Sequence, residues 1–305
     1  MRPLASFILF LAGCLIFAAL AAPAVFLGVH WLADRTSWEI ADYCARHPFS
    51  RYFNRCLQAA MLLSIWPLLR ATGFASARAL ALRRPNAARD LLLGAATSVG
   101  TLALYISLLL AFGGARLRDT PPFERLGGIL TAALLSAALV ALFEEIFFRG
   151  YAYQLFRREG GRALAYAVQL TLFPLVHFLK PLRPPSEMAV DALSGFRMIG
   201  ASFGGLERAD AVAGGFIVLV AVAWMLCRAL ERRGTLWLAI GMHAGWILPQ
   251  LIASEFLQPG AAVAQWPNWI LGGGNLAHGA LVLLPLAVQA RILGLFGTHA
   301  RSGAA

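Results

Sequence analysis

Three observations predict an all-α protein, a polytopic transmembrane bundle of about eight helices. Of 305 residues, 59% are hydrophobic and only 13% charged, against about 25% charged in an average soluble domain. Mean hydropathy is +0.69. Apolar stretches near the roughly 20 residues that span a bilayer core recur at about 4–32, 56–73, 90–112, 127–156, 162–180, 212–229, 235–256 and 274–296. A chain exposed to lipid must satisfy its backbone polar groups internally, which makes these segments helices.

The first apolar run passes straight through Cys14 to Trp31 and ends at Ala33-Asp34. The LAGC tetrapeptide ending at Cys14 therefore reads as part of a transmembrane helix rather than a cleaved leader. Trp38, Tyr43, Phe49, Tyr52 and Phe53 stand among charges before Arg55, a mixture suited to the headgroup level. Helix two carries Pro67 and stops in an arginine-rich loop broken at Pro85-Asn86. Helix three starts near Asp90 and ends at Gly113-Gly114, and Pro121-Pro122 marks the loop that follows. Helix four runs long, from Gly127 to Arg157-Arg158, and Gly160-Gly161 turns the chain into helix five, which carries Phe173, Pro174 and His177. Between Pro181 and Gly215 lies the longest connection, with a short surface helix expected around Met188–Ile199. Helix six, the turn Glu231-Arg232-Arg233-Gly234, helix seven with His243 and helix eight with Asn275 and His278 complete the chain. The motif-bearing segment 127–256 is thus flanked by helices one to three (1–126) and by a C-terminal helix and tail (257–305), with no internal repeat or low-complexity tract.

A net charge of +11 raises the question of nucleic acid. The arginines, however, sit in short connections between apolar runs instead of forming one basic stripe, which argues against it. Arg70 to Arg89, Arg157 to Arg162 and Arg228 to Arg233 occupy alternate loops and, with Arg2, Arg291 and Arg301, place both termini in the cytoplasm. Cys14, Cys44, Cys56 and Cys227 show no ligand spacing and read as structural thiols.

The stretch Leu139–Tyr151, LVALFEEIFFRGY, places two glutamates and an arginine inside an apolar run. Ionisable groups at membrane depth are candidates for function. Glu145 and Arg149 are four apart and share a helix face, so they can pair. Glu144 points about 100° away from that face; from spacing alone the three read equally as a structural ion-pair cluster stitching helices together and as a supported site with Glu144 taking a proton from water. His177 lies about sixteen residues after the Gly160-Gly161 turn, as far as the glutamates lie before it. An antiparallel hairpin brings them to one depth. His243 lies about 13 Å beyond the turn at Gly234, at ~1.5 Å per residue. These histidines read equally as packing residues, as holders of a water or metal ion against Glu144, or as a transporter's proton relay.

EEIFFRG (Glu144–Gly150), LFPLVHF (Leu172–Phe178) and LERRGTLWLAIGMHAGW (Leu230–Trp246) resemble three motifs of the CAAX-processing and bacteriocin-processing family of intramembrane proteases, also called Abi or CPBP. The resemblance spans about Gly127–Ala253 and implies cleavage of a peptide bond in or near the membrane. Carried over, Glu144 activates water, Glu145 and Arg149 hold the site in shape, and His177 and His243 position water or stabilise the oxyanion. Members of the family are described both as metalloproteases and as metal-free glutamate proteases. A zinc ion would take Glu144, His177 and His243; the leading expectation is metal-free, because that set uses up the base as third ligand.

One departure stands out: the family's third motif has Asn or Asp four residues after its histidine, where this chain has Ile247. Asn275 is the candidate substitute for oxyanion support, with Gln250 behind it. The alternative readings are a catalytically weakened or inactive member acting as a membrane scaffold, and an ion-coupled transporter, for which paired repeats with broken helices are missing. Expected partners are the lipid bilayer and a peptide or membrane-protein substrate, not nucleic acid. Abundant arginine, with Lys180 as the sole lysine, suggests a bacterial inner membrane, where bacteriocin leaders, sorting-signal tails or a regulatory membrane protein are open as substrates.

Overall fold

The computed structural model describes residues 3–83, 85–179, 190–204, 209–271 and 279–297. They are overwhelmingly helical and pack as two compact units, one of residues 1–75 and 176–208, the other of residues 76–175 and 209–305.

In the first unit, α1 (Pro3–Arg35) packs along α3 (Phe49–Thr72), and α2 (Glu39–Ala45) and α7 (Ser194–Ser202) rest on them. Phe26 meets Phe49 and Tyr52, while Cys14 meets Ser64, so α1 and α3 are antiparallel. Ala18, Ala19, Ala22, Phe49, Phe53 and Met198 form its core. The small residues of α1 admit α7 closely: a Cβ on Gly195 would collide with the Ala19 carbonyl.

The second unit holds α4 (Ala87–Ala111), α5 (Leu126–Glu145), α6 (Gln154–Phe178), α8 (Ala209–Arg233), α9 (Trp237–Phe256), α10 (Asn268–Leu271) and α11 (Leu283–Ile292). Its core joins Leu102, Tyr105 and Leu109 of α4 to Leu226 of α8, Met242 of α9 and Leu286 of α11. Gln289 ties three helices together: its Oε1 accepts from Trp246 Nε1 and its Nε2 donates to Ser98 Oγ. The tightest crossing is α4 on α9. A Cβ on Gly94 would sit 2.4 Å from the Leu238 oxygen, one on Gly241 2.1 Å from the Leu91 oxygen, and one on Gly245 2.5 Å from the Ala95 oxygen. Small residues spaced four apart are how membrane helices bring backbones together.

The helical class expected from hydropathy is therefore found, with adjustments. Four described helices are long and apolar enough to cross a membrane: Pro3–Arg35, Ala87–Ala111, Phe123–Phe178 and Val212–Arg233. The expected count of eight is not confirmed. Phe123–Phe178 contains two of the predicted spans, broken at Gly161, whose φ of 79° and ψ of −177° are open to glycine. Contacts of Phe148 and Arg149 with Phe173 confirm that the chain folds back there. α3 and α9 occur where helices two and seven were predicted, but in place of the eighth only the shorter apolar helix Ala280–Ile292 is described. The surface helix expected at 188–199 lies later, at Ser194–Ser202. A two-stranded antiparallel ladder, β1 (Ala115–Leu117) on β2 (Leu257–Pro259), joins the ends of α4 and α9. Three-residue strands leave no periodic trace to read. Large apolar side chains such as Ile8, Leu20, Leu135 and Leu139 are exposed, as lipid contact requires.

The α4–α9 crossing yields a test. Gly241→Ala is expected to lower stability by ~1–3 kcal/mol, the usual cost of overpacking, because its methyl group meets backbone. Gly100→Ala, on α4 with nothing within 4 Å of the added carbon, should instead gain ~0.5–1 kcal/mol from helix propensity. Thermal unfolding of the two variants in one detergent compares them directly.

Candidate active site

The EEIFFRG segment begins on α5 and continues as a π-helix, Ile146–Tyr153. π-helical turns are rare and concentrate at functional sites. Their wider winding changes the backbone pairing, and side chains from elsewhere accept the task. Gln169 of α6 donates its Nε2 to the Phe148 carbonyl at 2.9 Å. Gln154 donates to the Gly150 carbonyl at 2.7 Å and to the Ala79 carbonyl at 2.9 Å. Gly150 lets the coil press on its neighbours, since a Cβ there would lie 3.0 Å from Leu236 Cδ1.

Arg149 and Glu145 are both completely buried, and Arg149 Nη1 donates to Glu145 Oε1 at 3.0 Å. The pair predicted from i,i+4 spacing is thus present. The same Oε1 lies 2.8 Å from His243 Nδ1. A carboxylate only accepts, so Nδ1 carries the proton and Nε2 is left facing elsewhere. Nε2 faces Glu144, whose Oε2 is 3.9 Å away. That separation exceeds a direct hydrogen bond.

Helix geometry explains why His243 arrives here. Gly241 and Gly245 press α9 on α4, and a residue two positions from each points to the other side of the helix, at ~100° per residue. That side packs against α5. Phe173 of α6 completes the cluster: the Arg149 guanidinium carbon sits 4.1 Å from its ring centroid, and its ring meets His243 edge-on at 6.0 Å between centroids. A cation over an aromatic face in a desolvated setting contributes ~2 kcal/mol or more. The Cys227 thiol also approaches Arg149.

Exposure separates the two glutamates. The Glu145 side chain is 0% exposed and that of Glu144 26% exposed. One is sealed in the charge network; the other is partly exposed, although its Oε2, the oxygen nearest His243, is itself buried.

Of the remaining predicted residues, His177 is half-buried in the last turn of α6 and belongs to the first unit, whereas Glu144, Glu145, Arg149 and His243 belong to the second. Asn275 lies outside the described residues. Ile247 and Gln250 are half-buried on α9. Among the described residues no three His, Cys, Asp or Glu side chains form a metal-binding group.

A second network escaped sequence reading. Glu231, at the end of α8 and only 1% exposed in its side chain, accepts from Tyr153, Arg162, Tyr166 and Arg228 at 2.6 to 2.9 Å. It ties the π-helix to α6 and α8, and Arg228 passes the link on to the carbonyls of Leu295 and Gly297. The signal available was Glu231 itself, an acid at the mouth of the third motif; its four donors are scattered over 75 residues of sequence. Gln169, a polar residue within the apolar run AYAVQLTLF, was visible by the rule that polar groups at membrane depth have a task.

Removing the guanidinium should expose the cost of the network. Arg149→Leu leaves Glu145 buried with only His243 for company, and loss of one partner of a buried pair costs ~3–5 kcal/mol. A matching fall in unfolding temperature is expected. Adding Glu145→Gln to Arg149→Leu should recover part of it, as a double-mutant cycle would measure.

No curated protein and no solved structure matches the chain. One family model does: residues 126–248, the segment that carries both glutamates, Arg149, His177 and His243, match the Rce1-like family of type II CAAX prenyl endopeptidases.

Proposed function

We propose that this membrane-embedded protein is an endopeptidase that cleaves a peptide bond of a membrane-associated substrate by water activated at Glu144. The family match supports a protease acting at the membrane. The observation that carries the mechanism is the chain Arg149–Glu145–His243, which ends with His243 Nε2 directed at the partly exposed Glu144.

In this reading a water molecule lies between Glu144 and the scissile carbonyl. Glu144 takes a proton from the water as its oxygen bonds to the carbonyl carbon, giving a tetrahedral oxyanion. His243, neutral with its Nδ1 proton on Glu145, accepts a hydrogen bond from the water at Nε2 and so orients it. Collapse breaks the C–N bond, and the proton on Glu144 passes to the leaving amine. Glu145 fixes the His243 tautomer and ring orientation, as the buried aspartate does in serine proteases. Arg149 compensates the charge of Glu145. His177 keeps the role that the family resemblance gives it, in water or oxyanion binding.

Zn2+ is the alternative activator, with Glu144, His177 and His243 as its ligands. That set would use up Glu144, the proposed base, as the third protein ligand of a catalytic zinc site. The reaction is therefore derived without metal. Treatment of active protein with a zinc chelator should leave turnover unchanged; loss of turnover restored by zinc would replace this reading.

A second reading, a scaffold that binds membrane peptides without cutting them, is favoured by Ile247, which offers no hydrogen bond where the family has a polar residue. Asn275 is our proposal for supplying that donor. We place the protein in a bacterial inner membrane with both termini cytoplasmic.

Glu144→Gln keeps the shape and removes the base. It should reduce cleavage by ~10²–10⁴-fold, the usual worth of a positioned base. Comparative proteomics of membrane fractions with wild type or Glu144→Gln at matched abundance checks this: wild-type-specific termini support the protease, and identical profiles support the scaffold. Ile247→Asn should raise turnover, by up to ~10²-fold if the oxyanion lacks one donor. An unchanged rate would mean that the donor comes from elsewhere.

A further inference from the structure

A groove of about 460 Å³ lies in the first unit, between α1, α2 and α3. On α1 its wall is Phe17, Ala21 and Val25, four residues apart and therefore one stripe. On α3 it is Arg51, Arg55 and Ala59, again four apart, with Tyr43 from α2 and His47 from the turn that follows it. Because α1 and α3 run antiparallel, Val25 lies level with the start of α3 and Phe17 level with Ala59. The groove is consequently cationic at one end and apolar at the other.

Its cationic end sits at headgroup level. Trp31, Trp38 and Tyr43 are 57%, 64% and 59% exposed just where the apolar run of α1 stops, an aromatic belt of the kind found at membrane interfaces. The apolar end opens along the lipid-facing side of α1, where Ile16, Phe17 and Leu20 are exposed. Among the described residues neither Arg51 nor Arg55 makes an ion pair. Arg51 contacts the His47 ring at 3.0 Å and Arg55 donates to Gln58 at 2.7 Å. Each guanidinium carries five N–H donors, so both retain donors for an anion. Glu39 and Asp42, the acids of α2, are not in the groove lining. Tyr52 holds the α2 end to α3 by donating to the Cys44 carbonyl at 2.7 Å, and the Tyr43 ring stands edge-on to His47. The cradle is therefore set before any ligand arrives.

We infer that this groove binds an anionic phospholipid, with the phosphate on Arg51, Arg55 and His47 and an acyl chain along Phe17, Ala21 and Val25. This assignment does not depend on the peptidase reading. Delipidated full-length protein in neutral detergent, titrated with phosphatidylglycerol, phosphatidylcholine or inorganic phosphate and read by native mass spectrometry, tests it. Phosphatidylglycerol should bind saturably and about tenfold or more tighter than phosphatidylcholine, given two interfacial cations. R51Q/R55Q should abolish that preference, R51K/R55K should keep most of it, and A21W should weaken both lipids by filling the apolar end. Equal binding of the two lipids, or a preference surviving R51Q/R55Q, would overturn the inference. Displacement of phosphatidylglycerol by millimolar phosphate alone would reassign the groove to a small anion. The lysine variant keeps the test decisive should the glutamine pair fail to fold.

Discussion

One carboxylate oxygen, Glu145 Oε1, receives both the Arg149 guanidinium and the His243 ring in the interior of the second unit. At 3.0 Å and an effective dielectric constant near 20, the Arg149–Glu145 contact between full charges is worth roughly 5–6 kcal/mol. Desolvation returns several kcal/mol per ion, so the assembled network is close to balanced. What it supplies is fixity, since loss of either Arg149 or Glu145 leaves a buried charge uncompensated. Three helical elements, α5, the π-helix and α9, are thereby held to one geometry.

The backbone is arranged to serve that geometry. Gly94, Gly241 and Gly245 let α4 and α9 touch through main chain, which turns His243 toward α5. The π-helix over Ile146–Tyr153 carries Arg149 back over Glu145, and its altered pairing is met by Gln169 and Gln154. Phe173 then closes the assembly from α6, touching both Arg149 and His243 with one ring. Glu231 braces the far end of the π-helix through Tyr153. These supports come from elements distant in sequence, so the site is a tertiary object although its charged core fits in six residues.

That distribution explains what was legible beforehand. Length and hydropathy reveal long apolar helices because lipid imposes both, and i,i+4 spacing reveals Glu145–Arg149 because the contact is local. The fold-back at Gly160-Gly161 was readable from its glycines. The π-helix was not: i→i+4 and i→i+5 pairing differ in the backbone, and IFFRGYAY is apolar enough for either. His243 was placed near Glu144 by depth, yet its bond to Glu145 depends on the rotation of α9, which the α4 contact sets. The α1–α3 groove was invisible for the same reason, although its aromatic and basic residues had already been assigned to the interface.

Adjacent glutamates are a means of obtaining two environments from one motif. A helix turns ~100° between neighbours, so two consecutive carboxylates cannot share surroundings. Glu145, at 0% exposure, is committed to Arg149 and His243; Glu144, at 26%, is partly exposed. The same rotation lets His243 address both, one ring nitrogen to each. Substituting either glutamate therefore disturbs different surroundings, the buried charge network in one case and a partly exposed position in the other. Adjacent acids thereby set a buried anchor and a partly exposed carboxylate toward the two different nitrogens of a single imidazole.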